Sequence, residues 1–149
     1  MTEVTPLNYV LVRDAGAKDE PFIFHSWLRS FRKSPTNVFV GDETYYKGHH
    51  KVVEDSINSL IVKVAYHAQD PSHILGYIAY EYSDENKAIV HWLFVKRDYR
   101  GFGIGKMLWD LATADAAKIL YTHTNPQFEK IKDKEKCEYD PYKRIGVRI

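Results

Sequence analysis

Apolar residues along this 149-residue chain alternate between two spacings, and each change of spacing predicts a new element. Residues 8–13 (NYVLVR) form a short run rich in β-branched and aromatic side chains, broken by Asp14-Ala15-Gly16. Phe22, Ile23, Trp27, Leu28 and Phe31 then recur near helical spacing. Asp19 is placed to cap that helix and Pro21 falls in its first turn, where a missing N–H does no harm. Ser34-Pro35-Thr36-Asn37 stops it. Residues 42–59 read as a second, amphipathic helix, with Tyr45, Val52, Val53, Ile57 and the adjoining Leu60 set among polar residues.

Three strands follow: 60–66 (LIVKVAY), 74–82 (ILGYIAYEY) and 88–95 (AIVHWLFV). The turn-like stretches Gln69-Asp70-Pro71-Ser72 and Ser83-Asp84-Glu85-Asn86 separate them, so an antiparallel meander is predicted. Gly76, inside the second run, marks a bulge or a close backbone approach. Ile104, Met107, Leu108 and Leu111 give the i, i+3, i+4, i+7 stripe of a helix running to about Ala117, with Lys118 near its negative end. Residues 118–122 (KILYT) read as a strand. Asn125 and Pro126 open a short helix to about Lys134, and the alternation of Ile145, Val147 and Ile149 suggests a final strand. With no repeat and no internal linker, one domain over 1–149 is expected.

Composition narrows the class. Hydrophobic residues at 44%, charged at 28% and aromatic at 14% exclude a disordered chain, a collagen-like chain and a disulfide scaffold. A formal net charge of +1 gives no global attraction to nucleic acid or to an anionic membrane. The single cysteine, Cys137, cannot form an intramolecular disulfide, and no Cys/His spacing resembles a zinc site. The longest apolar runs, such as Leu60-Ile61-Val62, are far too short to span a bilayer, and the first residues lack a basic segment followed by an apolar one. A soluble, cytoplasmic protein is the expectation.

Residues 90–111 (VHWLFVKRDYRGFGIGKMLWDL) carry the candidate chemistry: a strand ends, a basic and glycine-rich loop follows, and an amphipathic helix begins. Gly101, Gly103 and Gly105 leave no side chain in the way of a ligand. The first N–H groups of a helix lack intrahelical partners and the helix dipole favours negative charge beside them, which together make an anion site. Lys96, Arg97, Arg100 and Lys106 surround the loop, with only Asp98 opposing them. A P-loop would need glycine where Arg100 stands and a hydroxyl where Met107 stands. A dinucleotide fingerprint would need a third small residue where Lys106 stands.

A third pattern fits. Arg100-Gly101-Phe102-Gly103-Ile104-Gly105 satisfies [RQ]-x-x-G-x-[GA], directly after an apolar strand ending in Leu93-Phe94-Val95. In this the chain resembles the GNAT superfamily of acyl-CoA-dependent N-acetyltransferases, most strongly over residues 88–117. The resemblance implies an α/β (α+β) fold with a central mixed, mostly antiparallel sheet, splayed parallel strands 4 and 5, and about four flanking helices. It implies acetyl-CoA as cofactor, with the pyrophosphate held by the backbone of Arg100, Gly101, Phe102, Gly103, Ile104, Gly105 and Lys106. Pantetheine would lie between Leu93-Phe94-Val95 and Ile119-Leu120-Tyr121, and an N–H at Phe94 or Val95 would hold the thioester oxygen. Asn125 matches a family asparagine at the start of the following helix that contacts the cofactor.

The implied reaction is direct acetyl transfer to a primary amine of a small molecule, peptide or protein. An ammonium group has an unperturbed pKa near ~10.4, so a base must take a proton. His91 is the candidate base, with Glu81 and Tyr82 on the neighbouring strand as alternatives. The family's helix tyrosine, its general acid, has no counterpart in residues 126–133 (PQFEKIKD), which leaves Tyr121, Tyr139 and Tyr142 as candidates. That departure keeps a second function open: a catalytically inactive acyl-CoA-binding module acting as a sensor or interaction protein.

Other features read as structural. His49-His50 reads as a solvated helix face rather than a metal site, and residues 129–136 (EKIKDKEK) as a surface helix. Phe22, Trp27, Phe31, Tyr45 and Tyr46 read as core, with an acceptor pocket as the alternative. The expected partners are acetyl-CoA and an amine acceptor, not a membrane or nucleic acid; terminal strand edges leave a homodimer open.

Overall fold

The computed structural model describes residues 8–124, 129–130 and 136–144. Its elements run β1 (Val10–Asp14), α1 (Glu20–Arg32), α2 (Asp42–Ser59), β2 (Ile61–His67), β3 (Asp70–Ser83), β4 (Lys87–Val95), α3 (Ile104–Thr113), β5 (Lys118–Tyr121) and β6 (Cys137–Tyr139). One six-stranded sheet takes the order β1-β2-β3-β4-β5-β6. The pairs from β1 to β4 are antiparallel, whereas β4–β5 and β5–β6 are parallel. This is the expected α/β class and the expected parallel fourth and fifth strands. Three of the four anticipated helices lie among the described residues; the fourth, over 125–134, and the strand over 145–149 fall almost wholly outside them.

The sheet separates two cores. On one face α1 and α2 bury Ile23, Trp27, Phe31, Tyr45 and Val53 against Val64, Tyr77, Ala79 and Trp92. On the other, Ile104, Leu108 and Ala112 of α3 pack on Ile78, Val90, Leu93 and Val95. Burying such side chains stabilises by about 1.5–3 kcal/mol each, so the two faces fix the sheet's orientation. Asp19 stands at the N-cap of α1; its buried carboxylate accepts from Gly16 N–H (2.9 Å) and from Arg13 (2.7 Å).

Two boundaries differ from the sequence reading by more than two residues. Helix α3 ends at Thr113, not near Ala117, because the chain then docks on the β3–β4 connection through Ala117 N–H to Asn86 O (2.8 Å). Lys118 therefore opens β5 and pairs with Glu138 on β6 (2.8 Å) instead of facing the end of α3. Strand β3 begins at Asp70, which pairs with His67 and leaves only Ala68 and Gln69 between the strands; the Asp70 carboxylate accepts from Ser72 N–H and Oγ–H.

Two single-residue bulges, besides a wider shift between the Tyr66–Ile74 and His67–Asp70 pairs, give the sheet its irregular shape. Ala65 pairs with Gly76 and Tyr66 with Ile74, so Leu75 is extra on β3. Ala79 pairs with Trp92 and Tyr80 with Val90, so His91 is extra on β4. An inserted residue reverses side-chain parity. Accordingly Ala88 and Val90, then Leu93 and Val95, all belong to the α3-side core, while Trp92 joins the other. At Gly76 the β4 backbone comes so close that a Cβ would lie 2.5 Å from Phe94 O.

Candidate active site

Strand β5 pairs with β4 only from Lys87–Lys118 to Val90–Tyr121, closed by Thr122 N–H to Val90 O (3.2 Å). Beyond that point residues 91–95 of β4 continue without a β5 partner, and the sheet is split. Lys96 N–H donates to Leu75 O (2.8 Å), which makes Val95–Gly76 a non-hydrogen-bonded pair. By the alternation of an antiparallel ladder, the Val95 amide then faces the split, while that of Phe94 faces β3. Of the two amides considered for the thioester oxygen, Val95 has the required direction.

The glycine loop stands at the end of β4, after a single 3-10 turn over Arg97–Tyr99. Gly101 (φ 87°) and Gly103 (φ 94°) occupy the left-handed region, and Gly103 is the N-cap of α3. The first intrahelical bond runs from Met107 N–H to Gly103 O (3.0 Å), so the N–H groups of Ile104, Gly105 and Lys106 precede the ladder and point out of the helix start. Phe102 is exposed, and nothing lies within 4 Å of a Cβ built on Gly101. Arg100 Nε donates to Val95 O (2.8 Å), tying the loop to the end of β4. Lys106 is held by Asp110 (2.6 and 2.7 Å), so its charge is partly spent one turn along α3. Outward amides, an unobstructed bend and a strand edge leading away from it fit a diphosphate with an extended thioester arm.

The catalytic candidates fall into two groups. His91, the bulge residue, is buried, and its Nε2 lies 2.7 Å from Glu81 Oε2 on β3. Its Nδ1 lies 3.1 Å from Thr122 Oγ1, so both ring nitrogens are engaged. Tyr121 and Tyr139 stand side by side at the ends of β5 and β6, ring centroids 5.3 Å apart, with Tyr121 in the α3-side core. Tyr82 donates to Ala112 O (2.8 Å) and serves to hold α3, while Tyr142 is exposed. Asn125 lies outside the described residues.

Three residues that the sequence did not point to adjoin this group. Thr122 Oγ1 lies 2.8 Å from His123 Nδ1, and His123 Nε2 lies 3.0 Å from His49 Nε2 on α2. His49 is therefore not on a solvated helix face: it is buried and stacked on Tyr45 (5.4 Å, 8°). Burial, and then the nearby Arg144 guanidinium, push its pKa down to about 4. Burial likewise holds His123 well below its ordinary value, helped by Arg144, His49 and His91. Both rings are neutral at pH 7. Trp27 and Phe31 of α1 pack edge-on against His123 (5.4 and 4.6 Å), so they are core, as read, with Tyr45, whereas Tyr46 is exposed. Trp27 Nε1–H is buried and has no hydrogen-bond partner among the described residues. Among the described residues no group of three or more His, Cys, Asp or Glu could hold a metal ion, and no helix is long and apolar enough to cross a membrane.

A family model described as "Acetyltransferase (GNAT) family" matches residues 23–130. Several solved structures share the fold. YjaB from Escherichia coli in its apo form is 20% identical, with a TM-score of 0.55 over 81% of this chain and 75% of that one. A GNAT family acetyltransferase from Brucella melitensis, in complex with acetyl-CoA, is 17% identical, with a TM-score of 0.53 over 81% and 80%. An acetyltransferase of the GNAT family from Staphylococcus aureus Mu50 is 18% identical, with a TM-score of 0.54 over 81% and 76%. At these identities the likeness concerns the fold. No match is found among curated proteins.

Proposed function

The chain belongs to the GNAT acetyltransferase family, and on that premise we propose that it is an N-acetyltransferase moving an acetyl group from acetyl-CoA to a primary amine by direct transfer. The observation that carries this reading is the split between β4 and β5 at residues 91–95, opening beside the outward amides of Ile104, Gly105 and Lys106. The loop amides and the dipole of α3 would hold the pyrophosphate, each charged hydrogen bond contributing about 1.5–3 kcal/mol. The cofactor supplies an activated acetyl thioester. Val95 N–H, fixed in place by the β3–β4 ladder, donates where negative charge develops on the carbonyl oxygen. His91 and Glu81, 2.7 Å apart, supply the imidazole–carboxylate pair toward which the amine's proton is drawn. Tyr121 and Tyr139, at the ends of the next two strands, are the candidates for protonating the leaving sulfur.

The cofactor assignment is tested at Gly105. Its backbone is ordinary helix and an added Cβ would sit 3.5 Å from Val95 Cγ2, an ordinary contact, so Gly105→Glu brings a negative charge to the loop without backbone strain. Gly103 is a poorer site, because φ 94° strains any side-chain-bearing residue. Calorimetry should show CoA affinity at least about 10-fold weaker in a folded Gly105→Glu protein, the loss of one charged hydrogen bond. Unchanged affinity refutes the loop assignment. Thiol release from acetyl-CoA with a panel of primary amines tests the transfer itself; CoA bound without turnover on any amine is the result expected of a binding module.

A further inference from the structure

Five side chains on the α1/α2 side of the sheet form one continuous hydrogen-bonded chain: Glu81, His91, Thr122, His123 and His49, with links of 2.7, 3.1, 2.8 and 3.0 Å. They come from β3, β4, the end of β5 and α2. Four of the five are buried, and the Glu81 side chain keeps 23% of its exposure. We propose that this chain is a proton relay for acetyl transfer, in which His49 receives the proton of the acceptor amine and Glu81 passes it to water. The proposal rests on the acetyltransferase reading above and extends its base from one residue pair to a path.

The direction follows from donor and acceptor chemistry. An ionised Glu81 only accepts, so the His91 proton lies on Nε2 and its Nδ1 accepts from Thr122 O–H. The Thr122 oxygen then accepts from His123 Nδ1–H, and His123 Nε2 accepts from His49 Nε2–H. Every bond donates toward Glu81, both nitrogens of His91 and His123 are used, and His49 Nδ1 is left as the accepting end. Position agrees with this. Thr122 and His123 follow the last β5 residue paired with β4, so His123 and His49 stand toward the split and Glu81 lies away from it.

The groups facing His49 and His123 keep both rings neutral. Tyr45 and Phe31 cover the His49 ring, Trp27, Trp92 and Phe31 surround His123, and the Arg144 guanidinium, donating to Thr122 O (3.0 Å), is the nearby cation. Neither ring holds a proton in the resting protein, and the order of the hydrogen bonds gives an entering proton its way toward Glu81. The amine lone pair forms the new C–N bond, and the C–S bond breaks with its electron pair on sulfur. One N–H proton moves through the chain to Glu81 and water, and the sulfur takes its proton from the Tyr121/Tyr139 pair, which is restored from solvent. His49 is the group that touches the acceptor; Thr122, His123 and His91 act through it.

The relay is tested in two arms. Long-range proton–nitrogen NMR of ¹⁵N-histidine-labelled protein, without ligand at pH 7, reads the tautomers directly. The expected pattern is Nε2–H on His91 and His49 and Nδ1–H on His123; the opposite tautomer on any of them overturns the proposal. The second arm follows thiol release with acetyl-CoA and benzylamine, lysine or a lysine-containing peptide. Thr122→Val removes the central hydroxyl at nearly constant shape and should lower kcat about 10–100-fold with the KM for acetyl-CoA unchanged, whereas Thr122→Ser should keep kcat within about 3-fold. His49→Gln should cost as much as Thr122→Val, and the double variant no more than either. A parental kcat in Thr122→Val overturns the relay alone. A parent that releases no thiol with any of the amines overturns the transfer reading, and the relay's role with it.

Discussion

Replacing Gly76 by alanine strikes the scaffold of the site without touching any group that binds. The Cβ would stand 2.5 Å from Phe94 O and 3.1 Å from Val95 Cα, both backbone atoms of a central strand. Ordinary contact begins at 3.4 Å, so β3 and β4 must separate locally by about 0.9 Å. Neither atom belongs to a flexible side chain that could swing aside. Overpacking of this kind costs about 1–3 kcal/mol. For a chain of this size each kcal/mol lowers the melting temperature by roughly 2–4 °C, so a fall of about 2–12 °C is expected.

Gly48→Ala is the matched control. It lies inside α2, is exposed, and has nothing within 4 Å of its added Cβ. Alanine there removes only the excess conformational freedom of glycine and should stabilise by about 0.5–1 kcal/mol. Urea denaturation of both variants, with the slope m unchanged from the parent, isolates the difference. Because the segment that must yield carries the Val95 amide, Gly76→Ala should also weaken CoA binding, and Gly48→Ala should not. A Gly76→Ala protein within about 0.5 kcal/mol of the parent would refute the close approach, and with it the claim that β3 holds Val95 rigidly at the split.

Two further outcomes follow from the charges. His49 has a folded pKa near 4 against an ordinary 6.5, so protonation favours the unfolded chain: its contribution to stability is complete above pH 6.5 and is lost as pH falls toward 4, by on the order of 3 kcal/mol. Denaturation at pH 7 and pH 5 should show a steeper loss in the parent than in His49→Gln; equal slopes would show that His49 is not buried in the neutral form. Arg100→Met removes the tie to Val95 O and should weaken CoA binding about 3–10-fold while leaving unfolding unchanged, the exposed guanidinium being worth little to the fold itself. Unchanged affinity would remove Arg100 from the positioning of the loop.

The glycine loop was legible because its chemistry is local: a strand end, alternate glycines and a helix stripe occupy one stretch of 22 residues, 90–111. The meander was legible for the same reason, since short turns force neighbouring strands to pair. The histidine chain was not. His49 and His123 are 74 positions apart, and their 3.0 Å contact depends on where α2 settles across the sheet. The helical spacing that makes Tyr45 and Val53 core also carries His49, four residues from each, onto the buried face, but a polar residue there reads as an outward one. The end of α3 was misplaced because Ala114 to Ala117 suit a helix intrinsically, and only the docking of Ala117 on Asn86 stops it.

The bulge at His91 explains why the proposed chemistry sits where it does. The run AIVHWLFV is buried on both faces and shows no apolar–polar alternation, so nothing in it fixes a parity. The core does fix one: Val90 and Leu93, three apart, must both face α3. A regular strand places residues an even number apart on one face, so one residue between them has to be extra. His91 is that residue, and Trp92 after it still meets the α1/α2 core. The insertion falls one position past Val90, the last β4 residue paired with β5. The irregularity that reconciles two hydrophobic cores thus coincides with the start of the split, and it leaves a buried imidazole between a carboxylate on β3 and the hydroxyl of Thr122 just past β5.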